Sequence, residues 1–219
     1  MEFGSYREGV ERLTTLLLPV MAERFALLGE EGSGAYNFYK QRLLQRLVFK
    51  DYEIDLLAAL AQADLPIRQI HDVGCGWGQL VFLLAWCGCP TVGYENDRKR
   101  FASAVYFQSV LGVLDPHHMR FASVSDAHWP PPGRARGLGQ TLVVTTNIVT
   151  DEADLYEEGS IAGLARYPLA VVNVDRFCRY RGEADRHLLI ERFVKAGLTH
   201  RGLFCDVGED GQFHLFERG

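Results

Sequence analysis

Residues 69–78, Gln69-Ile70-His71-Asp72-Val73-Gly74-Cys75-Gly76-Trp77-Gly78, constrain the fold of this chain more than any other stretch. An apolar approach ends in an acid, three glycines alternate, and Leu80-Val81-Phe82-Leu83-Leu84 opens an apolar helical run. Strand, tight turn and helix in that order begin a βαβ unit. Glycine lets the backbone turn sharply and lets a ligand approach the main chain where a Cβ would clash. The unpaired N–H groups that open the following helix favour a negative group such as a carboxylate.

The rest of the chain extends that unit. Apolar and β-branched runs predict strands over 67–73, 91–94, 119–124, 141–146 and 169–174, with helices over 79–87, 98–111, 153–164 and 184–196. A proline- and glycine-rich loop covers 129–139, and the chain closes as strand, turn and strand over 201–207, 208–211 and 212–217. Such βα alternation ending in a hairpin indicates a mainly parallel sheet with helices on both faces. Ahead of it, helical spacing predicts a helix over 6–28 that Pro19 kinks or divides, a connector over 29–34, and a second helical stretch from Tyr36 to about Ala63. That part is too small to hold its own core. Residues 1–65 are therefore expected to form a helical cap on a domain spanning 66–219.

Composition narrows the function classes. With 219 residues, 47% of them apolar, the chain can bury one sizeable core. A net charge of -5 argues against a surface built to grip a nucleic-acid backbone. Cys75, Cys87, Cys89, Cys178 and Cys205 form an odd set without C-x-x-C spacing, which suits a reducing cytoplasm better than a disulfide framework or zinc site. Cys87-Gly88-Cys89 fits helix-end packing. No apolar run approaches membrane-spanning length, so no membrane partner is expected. Nothing in the pattern specifies an oligomer.

The glycine stretch departs from the dinucleotide fingerprint G-x-G-x-x-G, because Gln79 follows Gly78. Asp72 also suits an ammonium group better than a pyrophosphate. Asp72-Val73-Gly74-Cys75-Gly76-Trp77-Gly78 resembles motif I of the class I S-adenosylmethionine-dependent methyltransferases, and Gly93-Tyr94-Glu95-Asn96-Asp97-Arg98 resembles their motif II. Glu95 lies about 20 residues beyond the turn, where an acid reaches both ribose hydroxyls. Ser125-Asp126-Ala127 is similar to motif III, which puts Asp126 on the adenine amino group and the Ala127 backbone near the ring. The resemblance covers roughly residues 66–218. It implies an α/β, Rossmann-like three-layer sandwich with a seven-stranded sheet of order 3-2-1-4-5-7-6, last strand antiparallel, and S-adenosyl-L-methionine as cofactor. It also implies that Asp72, Gly74, Cys75, Gly76, Gly78, Glu95, Asn96, Asp126, Ala127 and Thr146 bind that cofactor.

The acceptor is read from departures. Thr145-Thr146-Asn147-Ile148-Val149-Thr150 lacks both the Asn/Asp-Pro-Pro-aromatic signature of base and amide-nitrogen methylation and the cysteine of carbon-5 pyrimidine methylation. The acid often seen opening the fourth strand is replaced by Gln140-Thr141. Nucleic acid is therefore disfavoured as a substrate. A sulfonium methyl is already activated, so the protein mainly aligns a nucleophile, and a base is needed only for an acceptor that arrives protonated. His128 is a candidate base, although Trp129-Pro130-Pro131-Pro132 beside it also suits a rigid loop. Asp151 is a candidate for holding an amine, although an acidic helix start is favoured by the dipole on its own. Tyr36, Tyr39 and Asn147 are candidate acceptor contacts, the two tyrosines equally reading as packing. Asn173 and Asp175, with Asp151, match a magnesium site poorly in spacing, so no metal is expected. The sequence thus points to methyl transfer onto an oxygen or nitrogen of a small-molecule acceptor. The alternatives are a protein or RNA methyltransferase and a non-catalytic module that binds the same cofactor.

Overall fold

The strands β1 (Gln69–Val73), β2 (Thr91–Glu95), β3 (Met119–Phe121), β4 (Thr141–Thr145), β5 (Leu169–Asn173), β6 (Leu198–Asp206) and β7 (Gln212–Arg218) form one sheet of order β3-β2-β1-β4-β5-β7-β6. The computed structural model describes residues 6–26, 34–112, 118–123, 139–148, 154–177 and 183–219. Strands β1 to β5 run parallel, and β7 is antiparallel to both β5 and β6. This is the order that the family resemblance implies.

Strand periodicity explains how the sheet is covered. Successive side chains point to opposite faces, so Leu142, Val144 and Val171 join one apolar cluster while Val143, Ala170 and Val172 join the other. On the first face lie α4 (Gln79–Trp86) and α5 (Arg98–Leu111), contributing Leu83, Leu84 and Phe107. On the second lie α6 (Asp154–Leu164) and α7 (Glu183–Lys195), contributing Leu164, Leu189 and Phe193. The turns that follow β1, β2 and β4 emerge at one end of the sheet, the end where open α/β sheets bind ligands.

The N-terminal helices pack onto the first face. Helix α1 (Tyr6–Phe25) continues through Pro19, so proline does not divide it, and it buries Leu13, Leu17 and Met21. Gly9 allows a close approach, since a Cβ there would stand 2.8 Å from Trp86 Cδ1. The single helical stretch expected from Tyr36 to Ala63 is in fact two helices, α2 (Gly34–Leu44) and α3 (Asp51–Gln62), with Arg46 at a positive φ of 56° between them. The break has an electrostatic reason. Arg42, only 1% exposed, donates to Val48 O at 2.7 Å, to Tyr52 Oη at 3.3 Å, and to Glu53 through two bonds of 2.9 and 3.0 Å. On one straight helix residues 42 and 53 would be about 16 Å apart. The elbow brings the two charges into contact and buries both.

A second tight point lies between β6 and β7. Asn173 Nδ2 donates to Asp210 O at 3.0 Å, and Gly211 follows at a φ of 109°. A Cβ on Gly211 would stand 2.5 Å from Asn173 Oδ1. Gly211→Ala therefore meets both backbone strain and a steric clash, and is expected to cost about 1–3 kcal/mol. Urea denaturation checks this, and an unchanged midpoint would show that the turn relaxes freely.

Candidate functional site

At the C-terminal end of β1 the backbone turns through three left-handed glycines, Gly74 (φ 73°), Gly76 (φ 59°) and Gly78 (φ 83°). Side chains are strained in that region, so the alternation in the sequence is a direct record of backbone shape. The turn is tied to β2. Gly74 N and Cys75 N both donate to Tyr94 O, at 2.8 and 3.1 Å, and Gly76 N donates to Glu95 Oε2 at 2.8 Å.

Glu95, 2% exposed, holds two segments together. Its Oε1 accepts from Asn96 N at 2.9 Å and Asp97 N at 2.8 Å, while Oε2 holds the glycine turn. Burial pushes its pKa up; the N–H groups of Asp97, Gly76 and Asn96 and the charge of Arg100 oppose that rise. With its internal bonds made, Glu95 keeps one lone pair on Oε2 for an outside donor.

Asp72, in β1 two residues before Gly74, is 1% exposed, and its Oδ1 has no hydrogen-bond partner among the described residues. Burial, then the charges of Glu53 and Glu95, push its pKa up from 3.8 to about 8. Cys75 beside it is buried, and burial with the charges of Asp72 and Glu95 keeps its thiol protonated. The turn is roofed by α2. Tyr39 stacks on Trp77 with centroids 3.7 Å apart and accepts from Trp77 N at 3.1 Å. A small cavity of about 40 Å³ beside the turn is lined by Gly74, Glu95, Asn96, Arg100, Ala122 and Asn147, among others.

The structure brings together Asp72, Gly74, Cys75, Gly76, Gly78, Glu95 and Asn96 around the turn, with Thr146 and Asn147 following β4. Thr146 is buried, and Asn147 Oδ1 is a second buried oxygen without a partner among the described residues. Tyr39 lies against the glycine turn itself. Asp126, Ala127, His128 and Asp151 lie outside the described residues, as does the side chain of Tyr36. Asp175 is held by Arg186 at 3.0 Å and by Gln212 N at 2.8 Å. Cys87 and Cys89 are buried at the end of α4, where they pack.

Three site residues were not anticipated. Trp77 is fully buried as the platform under Tyr39. Arg100 lines the cavity one turn into α5, a position that its spacing from Glu95 and Asp97 signals in retrospect. Glu53 contributes charge near Asp72 from α3, which no local pattern reveals.

The chemistry of the donor set fits an aminoacyl nucleoside. An orphaned buried carboxylate oxygen suits an ammonium group, and a spare lone pair on Glu95 suits a ribose hydroxyl. No protein-family model and no curated protein matches the sequence. Solved structures do match. A TehB-like S-adenosylmethionine-dependent methyltransferase from Corynebacterium glutamicum aligns at 17% identity over 84% of this chain and 98% of its own, with a TM-score of 0.57. A putative sarcosine dimethylglycine methyltransferase from Galdieria sulphuraria aligns at 12% identity over 83% and 88%, with a TM-score of 0.54. Geranyl diphosphate C-methyltransferase from Streptomyces coelicolor aligns at 15% identity over 89% and 88%, with a TM-score of 0.52. Sheet order, the reversed β7 and these neighbours agree: the chain has the fold of the class I S-adenosylmethionine-dependent methyltransferases.

Proposed function

We propose that this chain is an enzyme that moves a methyl group from S-adenosylmethionine to an oxygen or nitrogen of a small-molecule acceptor. The observation that carries the reading is the left-handed turn of Gly74, Gly76 and Gly78 set between two buried carboxylates, Asp72 and Glu95. Asp72 would hold the ammonium group, Glu95 the ribose, and the turn from Gly74 to Gly78 would supply backbone contacts. Asn96 and Thr146 complete the cofactor side, with Asp126 and Ala127 assigned to adenine by the resemblance, and Asn147 stands as a candidate acceptor contact. Residues 1–65 act as a cap over a catalytic domain spanning 66–219, a division supported by Tyr39 reaching the glycine turn from α2.

Bound there, the cofactor supplies a methyl group already activated by a sulfonium charge. The chain's own work is alignment: holding the acceptor's lone pair behind that carbon, which at the well-oriented limit replaces roughly 7–11 kcal/mol of barrier. His128 and Asp151 are the candidates for taking a proton from an acceptor hydroxyl or holding an amine. A small acceptor is favoured by the net charge of -5 and by the absence of the base-methylating signature after β4. Among the described residues no helix is long and apolar enough to cross a membrane.

Calorimetry tests the reading directly. The protein is expected to bind S-adenosylmethionine and S-adenosylhomocysteine, and tight binding of NAD with neither of these would overturn it. Glu95→Ala is expected to weaken both adenosyl ligands tenfold or more, since a charge-assisted bond is worth about 1.5–3 kcal/mol and the variant also releases the turn at Gly76. Normal affinity in that variant would remove Glu95 from the site.

A further inference from the structure

Tyr39 occupies the glycine turn in three ways. Its ring lies flat on Trp77, 9° from parallel, and its hydroxyl accepts from Trp77 N at 3.1 Å. The same hydroxyl stands 2.6 Å from the position a Cβ on Gly76 would take. The room that this glycine leaves is thus filled by a side chain of the same protein. The neighbouring N–H of Gly76 is also taken, by Glu95 Oε2 at 2.8 Å. Two N–H groups leading into α4, of the kind that suit a ligand carboxylate, are therefore answered internally, one by a hydroxyl oxygen.

Two further observations point the same way. Asp72 Oδ1 is buried and lacks a partner among the described residues, so an acceptor suited to an ammonium group is sealed from solvent. The cavity beside the turn measures about 40 Å³, whereas small-molecule sites run to roughly 300–1,000 Å³. The donor set is present, but the space beside it among the described residues is small.

We propose that Tyr39 gates this site: its hydroxyl holds the seat of the cofactor's amino-acid carboxylate on the Trp77 N–H, and the cofactor enters only when that hydroxyl leaves. The inference rests on the reading of the chain as an S-adenosylmethionine binder and adds its control. A gate of this kind lowers apparent affinity by the fraction of molecules that are open. It acts on ligands that bring a carboxylate and spares those that do not.

The test compares two ligands on two proteins. S-adenosylhomocysteine carries the amino-acid end, whereas 5′-methylthioadenosine lacks it. Tyr39→Phe keeps the stacked ring and removes the hydroxyl, so it is expected to bind S-adenosylhomocysteine about fivefold more tightly, the worth of one ordinary hydrogen bond. Its affinity for 5′-methylthioadenosine should stay within about twofold of wild type. Equal or weaker binding of S-adenosylhomocysteine overturns the gate, and so does equal tightening of both ligands. If S-adenosylhomocysteine binds neither protein, the cofactor reading itself falls and takes the gate with it. A second measurement does not depend on that variant. The chain has three tryptophans, and in Trp86→Phe/Trp129→Phe the stacked Trp77 is the one that remains. Saturating S-adenosylhomocysteine is expected to change its emission as the stack with Tyr39 opens, and 5′-methylthioadenosine is not; unchanged emission with S-adenosylhomocysteine overturns the gate.

Discussion

Asp72→Asn is expected to raise the melting temperature of the ligand-free protein at pH 8–9 and to leave it nearly unchanged at pH 4. The wild-type carboxyl has its pKa raised from 3.8 to about 8, first by burial and then by the charges of Glu53 and Glu95. A carboxyl raised in the folded state favours folding while it is neutral, and that contribution drains away as pH climbs from 3.8 through 8. At pH 9 the full displacement corresponds to a penalty on the order of 5 kcal/mol, which asparagine avoids. The same variant should lose affinity for the cofactor, because an amide cannot balance an ammonium charge. A linked result follows at pH 7. A ligand ammonium beside Asp72 favours the carboxylate, so binding expels close to one proton. Binding enthalpies measured in phosphate and in Tris should then differ by the difference in buffer ionisation enthalpy, and Asp72→Asn should abolish that dependence. A stability gain that persists unchanged down to pH 4 would show that Asp72 is not the titrating group.

Arg42→Ala is the most damaging substitution expected outside the site. It leaves Glu53, 5% exposed, without its two bonds from the guanidinium. Removing one partner of a buried ion pair typically costs about 3–5 kcal/mol, a large part of the roughly 5–15 kcal/mol that holds a domain together. Arg42→Met/Glu53→Gln should recover more than half of that loss. Both charges then leave together, while glutamine still accepts from Lys50 N, now at 2.8 Å from Glu53. The readout is the urea midpoint at constant slope. Additive losses in the double variant would mean that the pair is not coupled.

These two residues also mark where the sequence could and could not be read. The alternation of Leu142, Val143 and Val144, or of Ala170, Val171 and Val172, is a local pattern that directly encodes which face each residue buries. The glycines of the turn are similarly local, because a left-handed backbone admits few other residues. Arg42 has no such signature. As sequence it is an ordinary charged residue on a helix, and its partner lies 11 positions away across a bend that helical spacing does not announce. Tyr39 falls between the two cases. Its type and place allowed both a packing and a ligand role, and only the approach of α2 to the turn showed that it covers Gly76. Local rules specified the strands and the turn, and the family resemblance their order; the contacts that close the site are made between distant segments and were invisible until the chain was folded.

The order of the sheet has a consequence for how the molecule is made. β7 lies between β5 and β6, yet it comes after both in the chain. As synthesis proceeds, β5 and β6 leave the ribosome without the strand that joins them, and each presents an open row of backbone groups to other chains. The parallel strands β1, β4 and β5 can pair as they emerge, but the step that seals β5 and recruits β6 waits for Gln212–Arg218. Because this late segment must insert between two earlier ones, β5 keeps an open edge until β7 pairs with it, and that interval exposes the folding chain to aggregation.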